Sequence, residues 1–186
     1  MQTGLRIFSA FVVTTIVLLS TISSAQIDSS EPDFEKLFKE NLKGGVLNLS
    51  GKKIGDKGLK VLLRQDFLGN LKKLDLRYNA ISPEGGKLLA EAAPFKKLKT
   101  LILKHNFLAD EGAVALANSK SYGNLKKLQL GWNEIRDAGA LAFAESKNFP
   151  KLNKLDLRGN FLAGKTKEVL RSSLSHLKSL RIYQSE

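Results

Sequence analysis

The sequence contains no cysteine. A disulfide framework, a thiolate metal site and a thiol nucleophile are therefore excluded. Zero cysteines do not fix the redox compartment, but an exported chain built this way must be held by its core alone. Histidine is almost as scarce: His105 and His176 are the only two, and they stand far apart, so neither a metal cluster nor a catalytic triad has support. No cofactor is implied, because no phosphate-cradling glycine motif occurs. Acids are few, 18 against 30 lysines and arginines in 186 residues, giving a formal charge of +12. That excess favours acidic partners or anionic polymers and says nothing about fold. Long apolar runs are missing with one exception, at the start.

That exception is Ile7–Leu19, preceded by the weakly basic Met1–Arg6 and followed by the small residues Ser23, Ser24 and Ala25. The three-part pattern is that of a secretory signal peptide over residues 1–25, cut after Ala25. The apolar run falls short of the ~20 residues that span a bilayer, which favours cleavage over an uncleaved membrane anchor, the alternative. The expectation is a secreted protein (periplasmic in a bacterium) with no transmembrane segment once the signal is removed. Without Arg6 the mature charge is +11.

What fills the rest of the sequence is repetition. LKKLDLRYN at Leu71–Asn79 is followed by LKTLILKHN at Leu98–Asn106, LKKLQLGWN at Leu125–Asn133 and LNKLDLRGN at Leu152–Asn160, each 27 residues after the last. A looser copy surrounds Leu47 and Leu49, and a final one covers Leu177–Ile182. A period of this length indicates stacked supersecondary units, none able to bury its apolar face alone. The L-x-L core has period two, so its leucines point inward and the residues between them outward. After the Asn come an apolar residue (Ile54, Ile81, Leu108, Ile135, Leu162) and then Asp56, Pro83, Asp110 and Asp137 in successive units. Asp is a good helix N-cap and Pro a good first-turn residue, so a helix starts there in each unit. Leu62, Leu89, Leu116, Phe143 and Leu170 write its inward side, and Leu68, Phe95, Tyr122, Phe149 and Leu174 fill the return loop. Before the array, residues 26–44 read as a linker and an amphipathic capping helix with Phe34, Leu37 and Phe38 on one face. The repeat domain is placed at 45–186, five repeats plus a final strand.

The pattern L-x-x-L-x-L-x-x-N followed by I/L-x-D-x-G and a helix resembles the leucine-rich repeat, in its helical, ribonuclease-inhibitor-like subtype. The resemblance runs from Val46 to about Tyr183. It implies an α/β solenoid, curved, with a parallel sheet on the concave side and helices on the convex side, and a non-enzymatic role in binding macromolecules. Two departures stand out. Cysteine-bearing end caps are absent, and the fifth unit has Gly164 and Thr166 where the others have Asp and Gly, which argues for a less regular helix there.

Function should lie on the outward positions. Lys73, Lys127 and Lys154 form one basic rail; Arg77, Lys104 and Arg158 form another. A mixed column of Asp75, Ile102, Gln129 and Asp156 lies between them. The eighteen outward positions carry only +5, so the remaining charge is spread elsewhere. At the strand-to-turn corner a further column reads Gly51, Tyr78, His105, Trp132, Gly159. Rings ~4.8 Å apart would form a contiguous strip there. Tyr and Trp are favoured interface anchors, so this strip, with Arg77 and Lys104 beside it, is the best candidate binding surface. Phe107 and Phe161 follow the Asn in their units, each isolated. The Asn column itself reads as structural, satisfying turn backbone groups. Asp75 and Asp156 are ~14 Å apart at strand spacing, too far for a glycosidase pair at ~5–9.5 Å.

The leading expectation is thus a secreted module binding an unidentified protein, an acidic one among the candidates, through the concave face and aromatic corner. The alternative is an electrostatic binder of an anionic polysaccharide or acidic surface. Nucleic acid is disfavoured because aromatics do not interleave with the basic rails. Ribonuclease inhibition is disfavoured because such enzymes are usually basic too. A third reading makes the chain a fragment or relative of a larger receptor. The single sequon, Asn48-Leu49-Ser50, matters only in a eukaryotic secretory route.

Overall fold

A computed structural model describes residues 32–183. The chain divides into two units, Met1–Glu31 and Pro32–Glu186. The signal-peptide reading of residues 1–25, its cut after Ala25 and the alternative anchor all lie outside the described residues, as does the linker up to residue 31. No helix among the described residues is long and apolar enough to cross a membrane.

The second unit opens with helix α1 (Phe34–Asn41), whose first turn is capped by the Asp33 carboxylate accepting from the Lys36 amide at 2.9 Å. Phe38 is fully buried, and Phe34 and Leu37 pack on the core, so the helix closes one end of the array. A short strand β1 (Leu42–Lys43) then turns back through Gly44 and Gly45, both at positive φ, and pairs antiparallel with β2 (Val46–Asn48). This hairpin is legible only afterwards: two residues are too few for an alternation pattern.

From β2 onward the units alternate strand and helix. Helix α2 is Gly55–Leu62, and a single 3-10 turn at Asp66–Asn70 leads back to β3 (Lys73–Asp75). The succession continues with α3 (Pro83–Glu91), β4 (Thr100–Ile102), α4 (Ala109–Asn118) and β5 (Lys127–Gln129). It ends with α5 (Asp137–Glu145), β6 (Lys154–Asp156), α6 (Gly164–Ser173) and β7 (Ser179–Arg181). The seven strands form one sheet in chain order, parallel from β2 to β7, and each helix packs on the next. This is the α/β solenoid that the repeat implies.

Register follows the period. Lys73 sits opposite Thr100, which sits opposite Lys127 and then Lys154; Leu74, Leu101, Leu128 and Leu155 align in the same way. Both leucine columns are buried between sheet and helices, along with the apolar post-Asn residues, the helix leucines with Phe143, and the return-loop column. Each such side chain supplies ~1.5–3 kcal/mol on burial. In the return loop Phe95, Tyr122 and Phe149 stack at 5.4 and 6.1 Å. The Tyr122 hydroxyl donates to the Leu89 carbonyl at 2.7 Å, and burial pushes its ionisation far up.

The helix starts correct one expectation. The aspartates do not cap their own helices: Asp56 and Asp110 lie inside the first turns of α2 and α4. Their carboxylates reach to the next unit instead. Asp110 accepts from the amides of Arg136 and Gly139 at 2.8 Å each, capping α5, and Asp137 accepts from Ala163 at 2.9 Å, capping α6. Asp56 does the same for Ser82 at the head of α3. Glycine at 85 and 139 is required by this arrangement, since a Cβ would collide with the incoming carboxylate. The helix of the fifth unit, α6, is consequently regular despite its missing Asp and Gly. Asp137 is held below the usual carboxylate range by the Ala163 amide and by the side chain of Thr166, which is buried in the glycine position.

The Asn column acts as expected. Asn106 accepts from the amides of Asn79 and Ile81 at 3.0 Å and donates to the Leu76 and Leu103 carbonyls at 3.0 and 2.8 Å. Asn79, Asn133 and Asn160 repeat the donating half, each reaching a leucine carbonyl of the preceding unit. Each side chain therefore stitches two units together.

Candidate functional site

Strands β2 to β6 each end at a sharp corner, and the corner residue is left-handed in all five units. Gly51 and Gly159 have φ of +70°; Tyr78, His105 and Trp132 have +58°, +54° and +56°. An L-residue in this conformation costs ~1–2 kcal/mol because its Cβ crowds the following carbonyl. The geometry is forced by the chain: the corner amides of Tyr78, His105 and Trp132 donate to carbonyls of the following units, Lys104, Gly131 and Arg158, at 3.1, 3.0 and 2.9 Å. Glycine is the undemanding choice. Three bulky rings occupy the three central corners instead.

Those rings form one stack. Tyr78 and His105 are 4.3 Å apart between centroids with a 10° interplanar angle, and His105 and Trp132 are 4.7 Å apart at 12°. At the far end the indole lies across Gly159, where any Cβ would overlap it. At the near end stands Gly51, whose surroundings are open to 4 Å around a Cβ. Tyr78 is 53% exposed, whereas His105 and Trp132 are half-buried.

Cations frame the stack. Lys104 Nζ sits 4.6 Å from the Trp132 ring centre and the Arg158 guanidinium 5.9 Å from it. Burial lowers the pKa of Lys104, as do the charges of Arg158, Arg77 and Arg181, with Asp156 opposing. Burial, then the charges of Lys104 and Arg77, also lower that of His105.

The residues flanking the strip depart from the sequence picture. Asp75, Ile102 and Asp156 were expected to face outward; they lie on the sheet's open face but are buried, at 1%, 5% and 3% exposure. The second basic rail explains this for the two aspartates. Arg77 folds back onto Asp75, with Nε and Nη2 donating at 3.1 and 2.8 Å, and Arg158 does the same to Asp156 at 3.0 and 2.7 Å. Burial pushes the Asp156 carboxyl up, but the Arg158 hydrogen bonds and the Lys104 charge outweigh it and hold it below the usual range. Lys104 is thus the one cation of the second rail without an aspartate two residues before it. Gln129 is half-buried between them, and Lys73 begins the first rail from β3.

Phe107 and Phe161 are not isolated. With Tyr78, His105 and Trp132 they line a single open recess, with Glu134 between them and Arg136 5.4 Å over the Phe161 ring. Phe107 is 52% and Phe161 60% exposed. Five large apolar side chains stand exposed among the described residues, and three of them line this recess. Sequence inspection separated these phenylalanines from the strip because they occupy a different column. Only the corner's sharpness brings the two columns around one hollow.

A family model for the leucine-rich repeat matches residues 70–90, 96–117 and 124–144. The chain therefore carries leucine-rich repeats, in keeping with the α/β solenoid of its described residues. It is similar in structure to the leiomodin-1 actin-binding site 2 (ABS2) at 17% identity and a TM-score of 0.44, over 82% of this chain and 78% of that one. No curated protein sequence matches it.

Proposed function

We propose that the chain is a non-enzymatic protein-binding module, and that the partner docks on the aromatic corner and the recess beside it. The observation that carries this reading is the stack of three large rings, Tyr78, His105 and Trp132, retained on corners where the backbone favours glycine, a conformation that Lys53, Ala80, Ala109 and Glu134 also adopt but without a ring. Strain of this kind persists where something compensates for it, and it clusters at binding sites. Stacking returns ~0.5–1.5 kcal/mol for each of the two pairs, about half of what the three corners cost at ~1–2 kcal/mol each, so the fold alone gains little from these rings. A partner that buries them gains much more. Clustered exposed apolar groups support the same surface. Lys73, Arg77, Lys104, Gln129 and Arg158 form its polar flank on the sheet side; the buried Asp75 and Asp156 hold the Arg77 and Arg158 guanidinium groups in place, and Ile102 is buried beneath this flank.

A catalytic reading gains nothing from the geometry. Asp75 and Asp156 are each committed to an arginine, and His105 stacks between two rings. Export after cleavage at Ala25 is part of the same proposal and rests on the three-part pattern of residues 1–25.

The experiment is affinity capture with the purified chain at low and high salt, followed by titration of the captured protein against Tyr78→Ala/Trp132→Ala. Loss of two central anchors should raise Kd by at least about tenfold, equivalent to ~1.4 kcal/mol. An unchanged Kd would remove the corner from the binding site.

A further inference from the structure

The outward sheet positions hold less than half of the mature charge, and the remainder is not evenly spread. At the edge opposite the aromatic corner, where the strands begin, one recess is lined by Lys72, Lys96, Lys97, Lys99, Lys126 and Lys151, with Asn124 and no acid. We propose that this edge is a second binding site, and that it takes a linear anionic polysaccharide.

Three features separate it from a merely soluble surface. First, the lysines repeat with the solenoid. Lys72, Lys99 and Lys126 hold equivalent positions in three successive units, immediately before the strands, at ~4.8 Å per unit. Their backbones form a continuous ladder: Lys99 donates to the Lys72 carbonyl at 2.9 Å, Lys126 to Lys99 at 2.9 Å, and Asn153 to Lys126 at 3.0 Å. The spacing of the points from which these side chains project is therefore fixed before any ligand arrives.

Second, two ammonium groups are held in place. A neighbouring column alternates Asn70, Lys97, Asn124, Lys151, and each lysine donates to the asparagine one unit earlier, Lys97 at 2.8 Å and Lys151 at 2.6 Å. Each Nζ keeps two further N–H donors for a ligand. Asn124 is itself oriented by donating to the Lys96 carbonyl at 2.9 Å.

Third, six like charges around one recess repel each other, a cost to the folded chain that an anionic ligand removes. A line of charges requires a ligand whose own charges recur along a line, hence a polymer.

The lining chooses among polymers. It offers no ring for a base to stack on and no guanidinium fork for a phosphate, as a nucleic-acid groove would. It offers no apolar anchor either, and lysine is depleted at the centres of protein interfaces. The ladder's backbone groups bond to each other, which leaves no free edge for a peptide strand. Ammonium groups and amides alone suit a chain of sulfates or carboxylates on a hydroxyl-rich backbone.

The test uses the full chain on immobilised heparin, with neutral dextran and single-stranded DNA of matched length as comparisons. Lys72→Gln/Lys99→Gln/Lys126→Gln should lose about tenfold or more in heparin affinity at moderate salt, with a shallower salt dependence. Lys36→Gln/Lys39→Gln/Lys165→Gln, with the same charge loss at other exposed sites, should lose less than about threefold. A Lys→Arg ladder variant should bind, which separates charge from folding. Tyr78→Ala/Trp132→Ala should bind as the parent does, so the two sites succeed or fail independently. Absence of heparin binding, equal loss in both glutamine variants, or DNA binding as tight and as ladder-dependent would each overturn the proposal.

Discussion

At the scale of the residue, the informative fact about Tyr78, His105 and Trp132 is their backbone. Each side chain is attached at a φ that charges for having a Cβ at all, so truncation to alanine and truncation to glycine are different experiments. Trp132→Ala removes the indole and keeps the cost; Trp132→Gly removes both. The glycine variant should be the more stable of the two by about 1 kcal/mol, read as a difference in chemical-denaturation midpoint. Equal stabilities would mean that the corner exerts no such demand. The ring column could be found in the sequence because residues 27 apart align. Its strain could not, since nothing in the letters Y, H and W signals a left-handed turn; Gly51 and Gly159 in the same column were the available clue. Asp75 and Asp156 show the opposite failure. Alternation placed them on the outer face, but alternation does not foresee an arginine two residues on folding back to cover them.

At the scale of the element, the starts of α3, α5 and α6 depend on the unit before them. The Asp column caps across units, so deletion of one carboxylate should loosen the following helix and not its own. Asp110→Ala should cost about 1–2 kcal/mol, the usual value of a lost N-cap. Hydrogen exchange should accelerate at the start of α5, at Arg136 and Gly139, while α4 keeps its protection. Faster exchange confined to α4 would contradict the cross-unit arrangement. Helix positions were legible from Asp, Pro and the leucine spacing. The direction of capping was not, because a side chain that satisfies the next unit leaves the same sequence mark as one that satisfies its own. The same ambiguity made α6 look irregular, although the cap it needs, Asp137, stands in the preceding unit. The β1–β2 hairpin was missed for another reason: only its positive-φ glycines, Gly44 and Gly45, mark it.

At the scale of the whole array, one period governs everything. Strand register, the Asn stitching, both aromatic stacks and the lysine ladder all repeat because identical positions of successive units are neighbours. That is why the fold was readable from the sequence almost entirely, down to which residues share a column. What the columns do with each other was less readable. The recess joins the ring column to Phe107 and Phe161, and the basic edge joins several lysine columns, because corners and loops bring different columns together at places that counting along strands does not visit. The two surfaces lie at opposite ends of the strands. A module of this kind can hold a protein at one edge and a polymer at the other without competition between them.

The central claim is that the corner rings serve a partner more than they serve the fold. The most direct measurement is the Kd of the captured protein for a chain carrying Tyr78→Gly, His105→Gly and Trp132→Gly. Relief of three strained corners should offset the lost stacking, leaving the unfolding free energy within ~2 kcal/mol of the parent's. The account predicts that this folded chain binds its partner at least about a hundredfold more weakly, a loss of ~2.8 kcal/mol. A chain that binds with undiminished affinity would show that the rings are there for the fold after all.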